Sequence, residues 1–277
     1  MTRSQTFEVV GLAYSRSGVN LVKIDLLDED ASIQFLKAQA PQVIVHCAAE
    51  RRPDQAAKDP EGTLVLNAKV PGYLATYCKA QGILLIYIST DYVFDGKNPP
   101  YQVDAQTGPL NFYGESKLAG EEAIRQVDPQ AIILRVPILY GDVEYNGESA
   151  VNILIDAVKN TSKECLMDHY CLRFPTNVID IGRVILDIAV HRVENGQPLA
   201  GTYHFTAEEM YTKYEMCQVF AEVLKVPMDH LLPQTEVDTS AAAARPKDCH
   251  LSTQRLKEAG INLSFVPFKT WFQAYLQ

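Results

Sequence analysis

A doubly wound α/β fold with a parallel sheet is predicted by three observations. Short apolar runs alternate with helix-like stretches through the first half of the chain. Those runs are largely continuous in apolar residues instead of alternating, as suits strands covered on both faces. The 277 residues are ample for one large domain or two modest ones. Alternation of this kind builds βαβ crossovers, and such sheets bind ligands at the carboxyl ends of their strands.

Taken in order, the strands are Phe7–Tyr14, Leu21–Leu26, Val43–Cys47, Gly82–Ser89 and Ala131–Val136. Helical spacing of apolar residues predicts helices over Ala31–Gln39, Thr63–Ala80 and Tyr113–Gln126 between them. The second half is less regular. Helices are expected over Ser149–Asn160, Asn177–His191 and Lys213–Leu224, and a strand over Gly201–Thr206. Proline marks loops at Pro227–Pro233 and Arg245–Pro246. Composition shifts near Tyr140–Gly147. Two units are therefore expected, a sheet domain over 1–140 and a smaller domain over 141–277, with 177–206 packing back on the sheet.

Lys+Arg 25 against Asp+Glu 34 gives a net charge of −9, which argues against nonspecific binding to nucleic acid or anionic membrane. The six cysteines (47, 78, 165, 171, 217 and 249) form no C-x-x-C pair, and no histidine cluster has metal-ligand spacing. No metal is expected, and the thiols read as reduced and mostly buried. With no apolar leader at MTRSQTFEVV and no run of about 18 apolar residues, the expected location is the cytoplasm.

The chemistry-bearing segment is Asn111–Gly120, NFYGESKLAG. Tyr113 and Lys117 are four apart and share a helix face. A phenol titrates near 10, and a neighbouring ammonium lowers that value and prepares it for proton exchange with a substrate oxygen. Thr90, at the end of the Gly82–Ser89 run, adds a hydroxyl at the carboxyl edge of the sheet. A bare Y-x-x-x-K is a weak signal; the strand-end hydroxyl 23 residues upstream is what strengthens it.

Together, Thr90, Tyr113 and Lys117 resemble the triad of the extended short-chain dehydrogenase/reductase superfamily. STDYVFDG at 89–96, PLNFYGESKLAGE at 109–121, LRVPILYG at 134–141 and ARPKDCHL at 244–251 are similar to its dTDP-4-dehydrorhamnose reductase branch. VIVHCAAERRPD at 43–54, RVPILYGDVE at 135–144, MDHYCLRFPT at 167–176 and MYTKYEM at 210–216 resemble the β regulatory subunits of methionine adenosyltransferase. Members of that group resemble reductases in fold and bind NADP(H), yet serve as noncatalytic partners of the S-adenosylmethionine-forming enzyme.

The resemblance implies a Rossmann-like NADP-binding unit followed by a substrate-type domain, and a hetero-oligomer with the methionine adenosyltransferase catalytic subunit. It implies that Tyr14, Ser15 and Arg16 meet the adenosine ribose, Ser15 standing where the group often has a second arginine. Asp25 and Leu26 would flank the adenine, and Cys47, Ala48, Ala49 and Arg51 would line the pyrophosphate and ribose side. Tyr113, Lys117 and Leu139 would meet the nicotinamide half, with Thr90 completing a triad that is either active or a relic. Plainer readings stand beside these. Arg16 and Arg51 are also ordinary surface charges, Cys47 a small buried residue, His46 a packed histidine and Asp25 a helix cap. Two functions stay open: a noncatalytic regulatory subunit, or an NADPH-dependent reductase of a nucleotide-sugar ketone.

A dinucleotide-binding unit opens with a strand, a glycine-rich turn and a helix whose N-terminus holds the pyrophosphate. VVGLAYSRSG is not that turn, because VKIDLLD follows too soon for a crossover helix. It aligns with the second strand of the unit, so the central first strand and its glycine loop are expected to be missing. Either the chain is a shortened form or another segment fills the position, and NADP(H) binding is expected to be weakened or lost. Ending at FKTWFQAYLQ, the chain is also expected to lack the basic, aromatic tail by which the group grips its catalytic subunit.

Overall fold

The computed structural model describes residues 7–16, 18, 20–238 and 240–277. In chain order the first half contains β1 (Gly11–Ala13), β2 (Leu21–Lys23), α1 (Glu29–Gln39), β3 (Val43–His46), α2 (Pro53–Lys58), α3 (Pro60–Leu64), α4 (Val70–Gln81), β4 (Leu84–Thr90), α5 (Phe112–Val127) and β5 (Ile132–Val136). The second half adds β6 (Leu139–Tyr140), α6 (Ile153–Lys159), β7 (Cys165–Asp168), β8 (Thr176–Asn177), α7 (Val178–Ala189), β9 (Gly201–His204), α8 (Lys213–Leu224), β10 (Leu231–Gln234), α9 (Gln254–Glu258) and α10 (Phe268–Tyr275).

The main sheet has the order β3-β4-β5-β9, with every pair parallel. Strands β4 and β5 are buried on both faces, as their apolar sequences predict, whereas β3, at the edge of the sheet, leaves Val45 exposed. Leu85, Tyr87 and Ile133 face α1, α4 and α5, while Ile86, Leu134 and Tyr203 face α7 and the α9 region. A second core lies apart from the sheet, where α6, α8 and α10 close around Tyr140, Phe220, Phe268 and Phe272.

At the front, β1 pairs directly with β2 in parallel, and no helix stands between them among the described residues. The outer edge of β3 has no strand partner among the described residues. This is the break expected where the first strand of a dinucleotide-binding unit would lie. The ordered strand here is three residues long instead of the eight expected over Phe7–Tyr14.

The single helix expected over Thr63–Ala80 is instead three segments, α3, a π-turn over Val65–Lys69, and α4. Proline explains the break. Pro71 has no N–H to give to the carbonyl of Asn67, four residues back, so the ladder re-registers before it. The freed Asn67 carbonyl accepts the Tyr87 hydroxyl at 3.1 Å. Helix α5 lies close against this point: a Cβ on Gly120 would sit 2.2 Å from the same carbonyl.

The expected loop over Pro227–Pro233 in fact runs into β10, which pairs with β7. Cys165 N–H donates to His230 O and His169 N–H to Gln234 O. Even-numbered residues thus face the ladder, and the ring nitrogen of Pro233 points away from it at no cost in hydrogen bonds. Asp28, not Asp25, caps α1, accepting from Ala31 N–H at 3.0 Å. No described helix is long and apolar enough to cross a membrane.

Candidate functional site

Strand β4 ends at Thr90, whose hydroxyl accepts from Tyr92 N–H at 3.2 Å and donates to Asp91 Oδ1 at 3.1 Å. Helix α5 begins beside it because Asn111 caps the first turn, accepting from Gly114 N–H at 3.0 Å. A Cβ on Gly114 would lie 2.2 Å from the Tyr92 carbonyl, so glycine is what lets the helix approach the strand end. Tyr113 therefore stands next to Thr90, its ring edge-on to Tyr92 with centroids 6.0 Å apart.

Lys117 is buried one turn on. Its ammonium donates to Ile88 O at 2.7 Å and lies 3.9 Å above the Tyr87 ring. Burial draws the ammonium down to about 7, against the upward pull of Glu121. Tyr113 is shifted opposite to the expectation. Burial raises its phenol, which the Thr90 hydrogen bond and the Arg51 charge only partly offset. The i, i+4 spacing places the two residues on one helix face, and the hydrogen bond that the Lys117 ammonium makes is to the Ile88 carbonyl.

The other candidate residues lie along the carboxyl ends of β1, β2 and β3. Tyr14, Ser15 and Arg16 are exposed beyond β1. Asp25 accepts from Leu27 N–H at 2.9 Å, a local turn, while Leu26 packs inward and its carbonyl takes the Tyr73 hydroxyl at 2.8 Å. Cys47 and Ala48 are exposed past β3, so Cys47 is not the small buried residue its setting suggested; Ala49 is half-buried. His46 is buried and stacked on Tyr87, and burial draws its imidazole down to about 3. Its Nε2 has no partner among the described residues. Leu139 opens β6 and is half-buried, its carbonyl accepting from Ser149 Oγ.

Arg16 and Arg51 converge. The Arg16 guanidinium pairs with the Glu148 carboxylate, and the Arg51 guanidinium donates to the Glu148 carbonyl. Two cations from different strand ends thus meet on one residue of the second half.

Several residues that shape the site were not picked out by pattern. Asn67 clamps the segment after β3, accepting from Glu50 N–H and donating to Glu50 O and to Ser116 Oγ, each at 2.9 Å. A buried asparagine inside the apolar run LVLNAKV was the one available signal. Arg173, buried, stands 3.7 Å from Asp168 and acts on Asp91; Arg245 pairs with Asp54 at 2.7 Å, bridging ARPKD to ERRPD. Burial and the Arg173 charge push the Lys213 ammonium below its ordinary value.

Residues 2–277 match the RmlD substrate binding domain family. Methionine adenosyltransferase 2 subunit beta of Danio rerio is 43% identical over 267 residues, covering 96% of this chain and 82% of that protein. Its counterpart from Mus musculus is 40% identical over 268 residues, 97% of this chain and 79% of that protein. Among solved structures, dTDP-4-dehydrorhamnose reductase of Bacillus anthracis, in complex with NADP, superposes with a TM-score of 0.80 at 27% identity. That match covers 92% of this chain and 88% of the reductase.

Proposed function

The chain belongs to the RmlD substrate binding domain family and, within it, to the methionine adenosyltransferase 2 beta subunits, and from that premise we propose that it is a noncatalytic regulatory subunit of methionine adenosyltransferase, acting in S-adenosylmethionine biosynthesis. The observation that carries this reading is the identity of 43% sustained over 96% of the chain. Its partner is the methionine adenosyltransferase catalytic subunit, and its place of action is the cytoplasm. The chain divides functionally into a sheet unit over 1–140 and a smaller unit over 141–277.

NADP(H) would supply a hydride in a catalytic relative; here the fit is uneven. Two guanidiniums converging on one acidic residue suit the 2′-phosphate and ribose end, with Tyr14 and Ser15 beside Arg16. Asp25 and Leu26 would flank the adenine, and Cys47, Ala48 and Ala49 the diphosphate. Tyr113, Lys117 and Leu139 would meet the nicotinamide half. No glycine-rich turn opens a helix beneath the diphosphate among the described residues, so that backbone cradle is not available. Binding is therefore weakened, and a micromolar dissociation constant for NADPH by calorimetry would contradict this.

Co-purification with the catalytic subunit, run beside an NADPH-oxidation assay on a dTDP-4-keto sugar, tests the whole reading. Association without turnover is expected. Turnover that disappears in Tyr113→Phe would instead establish the reductase, the reading that the adjacency of Thr90 and Tyr113 favours.

A further inference from the structure

Glu148 sits in the turn after β6, in the short 3-10 segment Asn146–Glu148, and each of its acceptors is engaged. One carboxylate oxygen takes the Arg16 guanidinium, and the other takes Glu144 N–H at 2.9 Å. Its carbonyl takes Arg51. Its carboxyl is held below the ordinary range, first by the Glu144 amide and then by Arg16. The turn is itself tied down, because Ser149 N–H donates to Asn146 O and Ser149 Oγ donates to Leu139 O. Arg16 and Arg51 come from strand ends far apart in sequence, and among the described residues neither has an ion pair other than that of Arg16 with Glu148: neighbouring Glu50 is taken by Arg52 through two bonds of 2.8 and 3.0 Å. A pair of guanidiniums gathered at the carboxyl edge of parallel strands is suited to a phosphate, and among the described residues the anion placed there is the Glu148 carboxylate.

We propose that Glu148 is a tethered plug in an anion site formed by Arg16 and Arg51, so that a phosphorylated ribose ligand binds only by displacing the Glu144–Ser149 turn. This rests on the reading of Arg16 and Arg51 as ligand residues, and it adds a competitor for them within the chain. The plug lowers the apparent affinity of any anionic ligand by the cost of releasing the turn, and removing its charge returns that affinity. It couples the two halves of the chain, since the plug is carried by the second half and the guanidiniums by the first.

The test is calorimetric titration of adenosine 2′,5′-bisphosphate into the full chain and into Glu148→Gln. Glutamine keeps the shape of the side chain and an acceptor for Glu144 N–H while dropping the charge, and a thermal melt of Glu148→Gln checks that the fold is kept. Glu148→Gln is expected to bind the probe about tenfold more tightly, the equivalent of about 1.4 kcal/mol. Glu144→Gln, which removes one charge from the same turn without touching either arginine, is expected to change affinity less than twofold. Arg16→Gln should weaken binding in the Glu148→Gln background. Hydrogen exchange gives the second readout: saturating probe should speed exchange at the Glu144 amide in the wild-type chain.

Equal or weaker binding by Glu148→Gln, an equal gain in Glu144→Gln, or an unmoved Glu144 amide would overturn the plug. So would absence of probe binding to both proteins at millimolar concentration, which would leave association with the catalytic subunit untouched. If association fails while Glu148→Gln still tightens binding, the plug stands and the regulatory reading falls.

Discussion

Arg135→Met should destabilise the chain by about 3 kcal/mol, the low end of the range for breaking a buried ion pair. Arg135 is 2% exposed on β5 and grips Glu121 with two bonds, Nε to Oε1 at 2.8 Å and Nη2 to Oε2 at 2.7 Å. Glu121 is fully buried and also accepts from Ser89, the residue before Thr90, at 2.5 Å. Methionine fills most of the arginine volume, so the loss is the uncompensated carboxylate and not a cavity. Arg125, 38% exposed in its side chain, keeps part of the pairing and is why the low end applies. With an unfolding entropy of about 2.1 cal/mol/K per residue, a chain of 277 residues should lose about 5 °C in Tm, read by scanning calorimetry.

The pH dependence gives an independent check. Arg135 and Ser89 hold the Glu121 carboxyl below its ordinary value against burial, which raises it. A depressed folded pKa contributes stability that is present above about pH 4.3 and lost as pH falls through the folded value. In Arg135→Met the folded pKa rises, so the deficit should shrink as pH is lowered toward 4. The double variant Glu121→Met/Arg135→Met should recover more than half of the loss. A Tm change under 2 °C for the single variant, or a double variant no better than the single, would refute the account.

Three further outcomes follow from the same coordinates. Asp91 is buried and its carboxyl is pushed up to about 7, burial outweighing Arg173 and the Thr90 hydrogen bond. The folded state then holds a proton the unfolded chain releases, so this group lowers stability by up to about 4 kcal/mol as pH rises from about 4 to 7. Asp91→Asn should flatten that slope in denaturation curves; an unchanged slope would count against it. Burial draws His46 and His204 down to about 3, so stability should fall as pH drops below about 6.5, and His46→Phe should soften this acid limb in thermal melts. Gly120→Ala drives a methyl to within 2.2 Å of the Asn67 carbonyl and 2.6 Å of the Tyr87 hydroxyl. It should cost about 2 kcal/mol or more by overpacking and speed exchange at the Glu50 amide that Asn67 holds, and an effect below about 0.5 kcal/mol would show that α5 can shift aside.

What was legible in the sequence follows the range over which each contact acts. Helix α8 runs from Lys213 to Leu224 as its periodicity predicts, because its ends are marked locally: Thr212 and Glu215 form a reciprocal cap, and Lys225 adopts a left-handed turn. The strand end at Thr90 and the start of α5 are likewise local, each fixed by a run of apolar residues and an adjacent cap. The helix over 63–80 failed at Pro71, where a missing N–H competes with a pattern that otherwise continues. The side-chain amide of Asn67 holds a segment 17 residues upstream, and no periodicity encodes that clamp.

Charge shows the same division more sharply. Arg16 and Arg51 can be picked out as cations at strand ends, since position along a βαβ unit assigns them to one edge of the sheet. Their counterion cannot, because Glu148 lies 132 residues from Arg16 and 97 from Arg51 and reaches them only through the turn after β6. The i, i+4 spacing of Tyr113 and Lys117 was equally plain, yet it fixes a shared face and not the direction of the ammonium. Burial decides that direction: in a dry interior the Ile88 carbonyl and the Tyr87 ring satisfy the charge. Residue type and local pattern nominate the groups of this site. Which groups neutralise one another is set by folding, as the meeting of Arg16 and Arg51 on Glu148 shows.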